Sequence, residues 1–209
     1  MGGANAVLHP PLASAGTFPI RLDRHGTIVL LGDSNVSGSR VGGRDVAFPA
    51  LLDVPRTAGI DVVNLGRGGG TVPDRVMATS ASVPPQLVII MFGTNDAAPR
   101  WILGRQKVVA PDLYAARLTA IVRSHAEQGA KVLVLASPPA GSVAMDRRIA
   151  PYRLAARNVA LQAGAHFADP AEAFAATRMR ADLQYDGLHL SVAGQERLAR
   201  WLDQLLAAS

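Results

Sequence analysis

The sequence contains no cysteine. That excludes a disulfide scaffold, a thiol nucleophile, an iron–sulfur cluster and any zinc site with a cysteine ligand. Charge is sparse, at 18% of residues, and nearly balanced: 21 Lys+Arg against 16 Asp+Glu give a formal +5. No run of five like charges occurs, so a histone-like or arm-type nucleic-acid binder is not expected. Long apolar runs are also missing. The longest, Leu87–Phe92, has six residues, against the ~20 needed to span a bilayer, and no membrane insertion is expected. Residues 1–26 lack a basic stretch followed by an apolar core, and Ala6 stands where a myristoylation signal needs Ser or Thr. The absence of a signal peptide favours the cytoplasm.

What is there is 209 residues, 49% of them hydrophobic, enough to bury a sizeable core. Residues 1–25 are expected to be a lead-in, poorly structured or wrapping the domain, and residues 26–209 a single domain. Short β-branched runs alternate with helical patterns. Thr27–Leu31, Asp61–Leu65, Leu87–Phe92 and Lys131–Ala136 read as buried strands, with a short fifth near Ala165-His166-Phe167. Continuous apolarity is what a parallel strand covered on both faces requires. Helices are expected from Pro111 to about Gln128, from about Arg147 to Gln162, and from Ser191 onward. In the last of these Leu198, Trp201, Leu202 and Leu205 form an i, i+3, i+4, i+7 stripe that belongs to the core. Strand–helix alternation implies right-handed crossovers and a doubly wound α/β sandwich. Its ligand crevice lies beyond the carboxyl ends of the strands.

The residues just past each apolar run are therefore the informative ones. They are Gly32-Asp33-Ser34-Asn35, Gly66-Arg67-Gly68-Gly69-Gly70-Thr71 and Gly93-Thr94-Asn95-Asp96, with Asp186-Gly187-Leu188-His189 before the final helix. Each alone has an ordinary reading: a strand-to-helix turn, a tight glycine loop, a capping aspartate beside a surface histidine. Together they supply what acyl transfer needs, namely a hydroxyl, a base, a carboxylate that orients the base, and donors for a developing oxyanion. Ser34 would be the nucleophile and His189 the base, with Asp186 three residues away on one helical turn to orient it. Ser34 N–H, a glycine N–H and the Asn95 amide would form the oxyanion hole. Gly69 can bring its N–H close to the substrate because no Cβ blocks it.

This set resembles the SGNH hydrolase superfamily, the GDSL-type lipases and esterases. Ser34 matches the nucleophile of the first block, and a glycine of the Asn64–Gly70 stretch the oxyanion glycine. Asn95 of Gly-x-Asn-Asp matches the third block, and Asp186 with His189 the terminal Asp-x-x-His. The resemblance spans positions 32–189 and implies a flavodoxin-like three-layer α/β/α sandwich with about five parallel strands. It also implies a serine esterase that needs no metal or other cofactor. The first block departs from the usual pattern, with Asn35 in place of leucine.

Other readings fit less well. The nucleophile elbow of α/β-hydrolases needs Gly-x-Ser-x-Gly, and Val36 occupies the last glycine's place. The glycine loop lacks the Gly-x-Gly-x-x-Gly spacing of a dinucleotide site, because position 71 is threonine. A metallophosphoesterase could draw on Asp33, Asn95, Asp96, Asp186 and His189. The remaining histidines, His9, His25, His125 and His166, sit in poor places to join them.

The expected substrate is a small-molecule or glycan ester with a short acyl group, acetyl above all. The alternative is a lysophospholipase or thioesterase acting on longer chains. Flanking the site, the Ala97–Val108 loop offers Trp101 as a wall, with Arg100 and Arg105 to recruit an anionic ester. No oligomeric state is read from the sequence.

Overall fold

A computed structural model describes residues 10–76, 84–98, 108–174 and 181–209. Its strands are β1 (Ile20–Leu22), β2 (Thr27–Gly32), β3 (Asp61–Asn64), β4 (Leu87–Met91), β5 (Lys131–Leu135), β6 (His166–Ala168) and β7 (Leu206–Ala208). The helices are α1 (Ser34–Ser37), α2 (Asp53–Ala58), α3 (Thr94–Ala97), α4 (Pro111–Glu127), α5 (Val143–Gln162), α6 (Ala171–Phe174) and α7 (Val192–Asp203).

The central sheet is parallel throughout, in the order β3-β2-β4-β5-β6. It is a flavodoxin-like α/β/α sandwich, as the sequence predicts. Alternate side chains of each strand feed two separate cores. Val29, Leu31, Val88, Ile90, Val132 and Val134 pack against Leu118, Ile121 and Val122 of α4 and Ile149 and Ala156 of α5. Ile28, Leu30, Leu87, Ile89, Leu133 and Leu135 face Phe48, Phe174, and Leu198 and Leu202 of α7. The apolar runs are continuous because both faces of the inner strands are covered.

One strand differs from expectation. β3 reads as buried in sequence, yet Val63 is 39% exposed and the burial alternates. It lies at the sheet edge, where it has one neighbour.

Ends of the chain meet in a second small sheet, where β1 pairs in parallel with β7. Upstream, Ala15 and Phe167 exchange both backbone hydrogen bonds at 2.9 Å, covering the β6 edge. Ser191 caps α7 through its side chain, which accepts the Gly194 N–H. Among the described residues no helix is long and apolar enough to cross a membrane.

Strand order reverses between β2 and β4. The first crossover from β2 leads to one side and the next to the other, so the loops after β2 and β4 part over a crevice. Those loops carry Ser34 and Asn95.

Candidate active site

Asp33 separates β2 from α1 and serves as the helix cap, its carboxylate accepting the Asn35 N–H at 2.9 Å. The sharp turn leaves Ser34 6% exposed at the head of the crevice. Its Oγ lies 2.9 Å from His189 Nε2, and His189 Nδ1 lies 2.6 Å from Asp186 Oδ2. Hydroxyl, imidazole and carboxylate thus form an unbroken hydrogen-bonded chain. A proton leaving Ser34 has an acceptor in place, and an imidazolium formed there has a carboxylate behind it.

The acid and base are not on a helical turn, as their spacing predicts, because α7 begins only at Val192. Instead Asp186 Oδ1 accepts the N–H groups of both Leu188 and His189, at 2.9 and 3.0 Å, closing an Asx-type turn. Gly187 sits at φ +67° within it, a conformation glycine adopts without steric cost. The Gly141 N–H donates to Gly187 O at 2.8 Å, so the loop after β5 braces the turn. Burial raises the Asp186 pKa, but the hydrogen bonds from His189 and Leu188 outweigh it and hold the carboxyl below its ordinary value.

Asn35, noted in the sequence only as a departure, ties the two halves of the site together. It is 2% exposed. Its Oδ1 accepts the Leu190 N–H at 2.9 Å, and its Nδ2 donates to Leu188 O at 3.4 Å. Gln195 Nε2 holds the Asn35 carbonyl at 3.1 Å.

On the opposite side the loop after β3 is fixed by Asn64, whose amide donates to Val36 O at 2.7 Å and accepts the Gly66 N–H at 3.0 Å. Arg44 donates to Asn64 O and Gly66 O at 3.1 and 3.2 Å. Of the three adjacent glycines, Gly70 has its N–H bonded to Arg67 O at 3.0 Å. Gly68 and Gly69 keep theirs without an acceptor among the described residues, and Gly69 turns at φ +70°. Asn95, first turn of α3, donates one amide hydrogen to Gly70 O at 2.9 Å. Its second amide hydrogen has no acceptor among the described residues, so the group can donate to an incoming carbonyl.

Two buried carboxyls lie beneath. Asp33 is pushed up to about 7 by burial, against the Asn35 N–H bond and with the charge of Asp96 adding to the rise. Asp96 is pushed up to about 6, again by burial, against the Val72 N–H that it accepts at 3.0 Å. Its Oδ2 is buried without a partner among the described residues.

Arg100, Trp101 and Arg105, expected to face the substrate, lie within residues 99–107, outside the described residues. His9 also lies outside them. His125 is buried in α4 with neither ring nitrogen bonded, and burial lowers its pKa. His166 stacks at a tilt on Phe18. Among the described residues no group of three or more His, Cys, Asp or Glu could hold a metal ion.

Known proteins resemble this chain in sequence and shape. The GDSL-like Lipase/Acylhydrolase family matches over residues 30–197. An acetylxylan esterase from Geobacillus stearothermophilus, Axe2, is 26% identical and superposes with a TM-score of 0.73 over 89% of this chain and 96% of its own. LAE5, described as an alpha/beta hydrolase enzyme from the metagenome of Lake Arreo, Spain, is 24% identical with a TM-score of 0.73, covering 88% and 96%. It shares the fold. An uncharacterized lipoprotein of Bacillus subtilis (strain 168) is 36% identical over 78 residues, 34% of this chain. The match spans only 32% of that relative's length.

Proposed function

The chain belongs to the GDSL-like lipase/acylhydrolase family of carboxylic ester hydrolases, and from that premise we propose that it is a serine esterase for short-chain esters. The acyl group is acetyl above all, carried on carbohydrate. The observation that carries the reading is the Ser34–His189–Asp186 chain of hydrogen bonds at 2.9 and 2.6 Å.

In the proposed reaction, His189 Nε2 takes the proton as Ser34 Oγ attacks the ester carbonyl. Asp186 holds Nδ1–H and stabilises the imidazolium. The oxyanion receives the N–H groups of Ser34 and Gly69 and the free hydrogen of the Asn95 amide. Collapse expels the alcohol, which takes the proton from His189, and leaves an acyl-enzyme on Ser34. Water then repeats the sequence and releases the acid.

Two features support the reading, one for the acyl and alcohol parts and one for the catalytic pair. The acetylxylan esterase covers nearly the whole fold at 26% identity. In it, variants described as catalytic mutants replace one serine and one histidine, the residue types that stand in contact here.

A series of 4-nitrophenyl esters from acetate to dodecanoate, with the native protein and Ser34→Ala, tests the reading. An acetate optimum abolished by Ser34→Ala is expected. Unchanged hydrolysis in the variant overturns the mechanism. A long-chain optimum replaces the acetylesterase with the lysophospholipase or thioesterase.

A further inference from the structure

One cavity borders the site without taking part in the acyl chemistry. Its volume is about 390 Å³, and Ser37, Ser39, Arg44, Arg67 and Gly68 are in its wall. That size falls in the lower part of the ~300–1,000 Å³ of small-molecule sites. Its position follows from the chain. Ser37 ends the short helix that Ser34 begins, and Gly68 directly precedes Gly69. A group in this cavity therefore lies beside both nucleophile and oxyanion loop.

The lining is polar and cationic. Ser37 and Ser39 bring hydroxyls, Arg44 and Arg67 bring guanidinium groups, and no carboxylate among the described residues lines the space. Arg44 spends Nε and Nη2 on the carbonyls of Asn64 and Gly66, which fixes the plane of its guanidinium and leaves Nη1 uncommitted among the described residues. The Arg67 side chain has neither a hydrogen-bond acceptor nor an acidic partner among the described residues; its backbone N–H donates to Gly32 O and its carbonyl accepts the Gly70 N–H. An alkyl acyl chain would desolvate these cations for no return. An anion would complete them, and a planar guanidinium is suited to carboxylate and phosphate oxygens.

The neighbouring segment adds an aromatic face. Tyr185, beside Asp186, is fully exposed at 101%. Its neighbour Gln184 donates through Nε2 to Arg40 O at 2.6 Å, one residue from Ser39 in the cavity wall. A wholly exposed ring on that segment offers a stacking surface to a sugar.

We infer that this cavity is the subsite for the alcohol part of the ester, and that it selects an acylated sugar bearing an anionic group, held by Arg44 and Arg67. The inference rests on the esterase reading above and names the substrate class for that same site.

The test compares kcat/KM on four acetyl esters: 4-nitrophenyl acetate, an acetylated methyl glucoside, an acetylated glucuronate and an acetylated glucose 6-phosphate. Native protein is expected to prefer one or both anionic sugars over the neutral glucoside. The glucuronate and phosphate arms separate a carboxylate from a phosphate ligand. Arg67→Glu is expected to reduce the anionic-to-neutral preference about tenfold or more, through lost attraction and added repulsion. Raising ionic strength should erode the same preference. Free glucuronate or glucose 6-phosphate should inhibit competitively, and glucose should not.

An unchanged preference in Arg67→Glu, or no preference in the native protein, overturns the subsite while leaving the esterase intact. Hydrolysis of 4-nitrophenyl acetate that survives Ser34→Ala overturns the esterase reading instead.

Discussion

Asn35 accepts the Leu190 N–H at 2.9 Å and donates to Leu188 O at 3.4 Å. The residue after Ser34 thus grips both neighbours of His189. Nothing local would place His189 opposite Ser34, because 155 residues separate Asn35 from Leu190.

Asn35→Leu keeps the branched shape and heavy-atom count and removes both bonds. It leaves a buried N–H unpaired, which costs about 1–3 kcal/mol. It also frees the histidine segment, and a displacement of about 1 Å can cost on the order of 10² in rate. The expected result is a kcat lowered roughly ten- to a hundredfold with KM little changed. Asn35→Asp keeps the acceptor for Leu190 and should recover part of the loss. Urea unfolding and steady-state kinetics measure the two effects separately. A variant that loses stability but keeps its kcat would make Asn35 a structural residue only.

Asp186→Asn is expected to lower kcat by about 10⁴, by comparison with Ser-His-Asp sites in which an amide selects the wrong imidazole tautomer. The Oδ1 bonds to Leu188 and His189 can survive the change, so thermal stability should fall far less than activity. A rate within threefold or so of the native one would remove Asp186 from the mechanism.

Much of this site is legible in sequence because doubly wound folds expose the residues after each strand. Ser34 and Asn95 follow β2 and β4, whose apolarity is unbroken, as is that of β5 after its first residue. Those runs reveal β2, β4 and β5 because both faces are covered. They could not reveal that β3 is an edge strand, which depends on strand order rather than on its own residues. Short helices such as α1 and α3, at four residues each, are too short to show a periodicity. The Asp186–His189 spacing fits a helical turn and an Asx turn equally, and Gly187 was the signal for the latter. Asn35 and Arg44 were missed because their partners lie far along the chain, where one-dimensional pattern carries no information.

Asn95→Ala removes the proposed oxyanion donor and the tether to Gly70 O. By comparison with single oxyanion-hole donors, kcat should drop about 10²–10³. Gly69→Ala tests the glycine assignment. At φ +70° a Cβ costs roughly 1–2 kcal/mol in backbone conformation and displaces the free N–H, so activity should fall with stability. If Gly68→Ala is the more damaging for kcat, Gly68 is the donor.

Asp33 and Asp96 give stability an unusual pH dependence. Their carboxyls are pushed up to about 7 and about 6 in the folded protein, against about 3.9 in an unfolded chain. Between pH 4 and 7 the folded state therefore holds more protons than the unfolded state, and stability falls as pH rises through that window. Their contribution is fully present below pH 4 and lost above pH 7. Asp186 acts oppositely. Its folded pKa is depressed, so its contribution is present above the unfolded value and lost only as pH falls through the folded one. The two effects separate in pH. Calorimetric Tm from pH 4.5 to 8 is expected to fall less steeply in Asp96→Asn than in the native protein. The asparagine can still accept the Val72 N–H through Oδ1 but cannot ionise, and it removes the charge that raises Asp33. Parallel Tm profiles would mean that Asp96 is ionised throughout, despite its unpartnered buried oxygen.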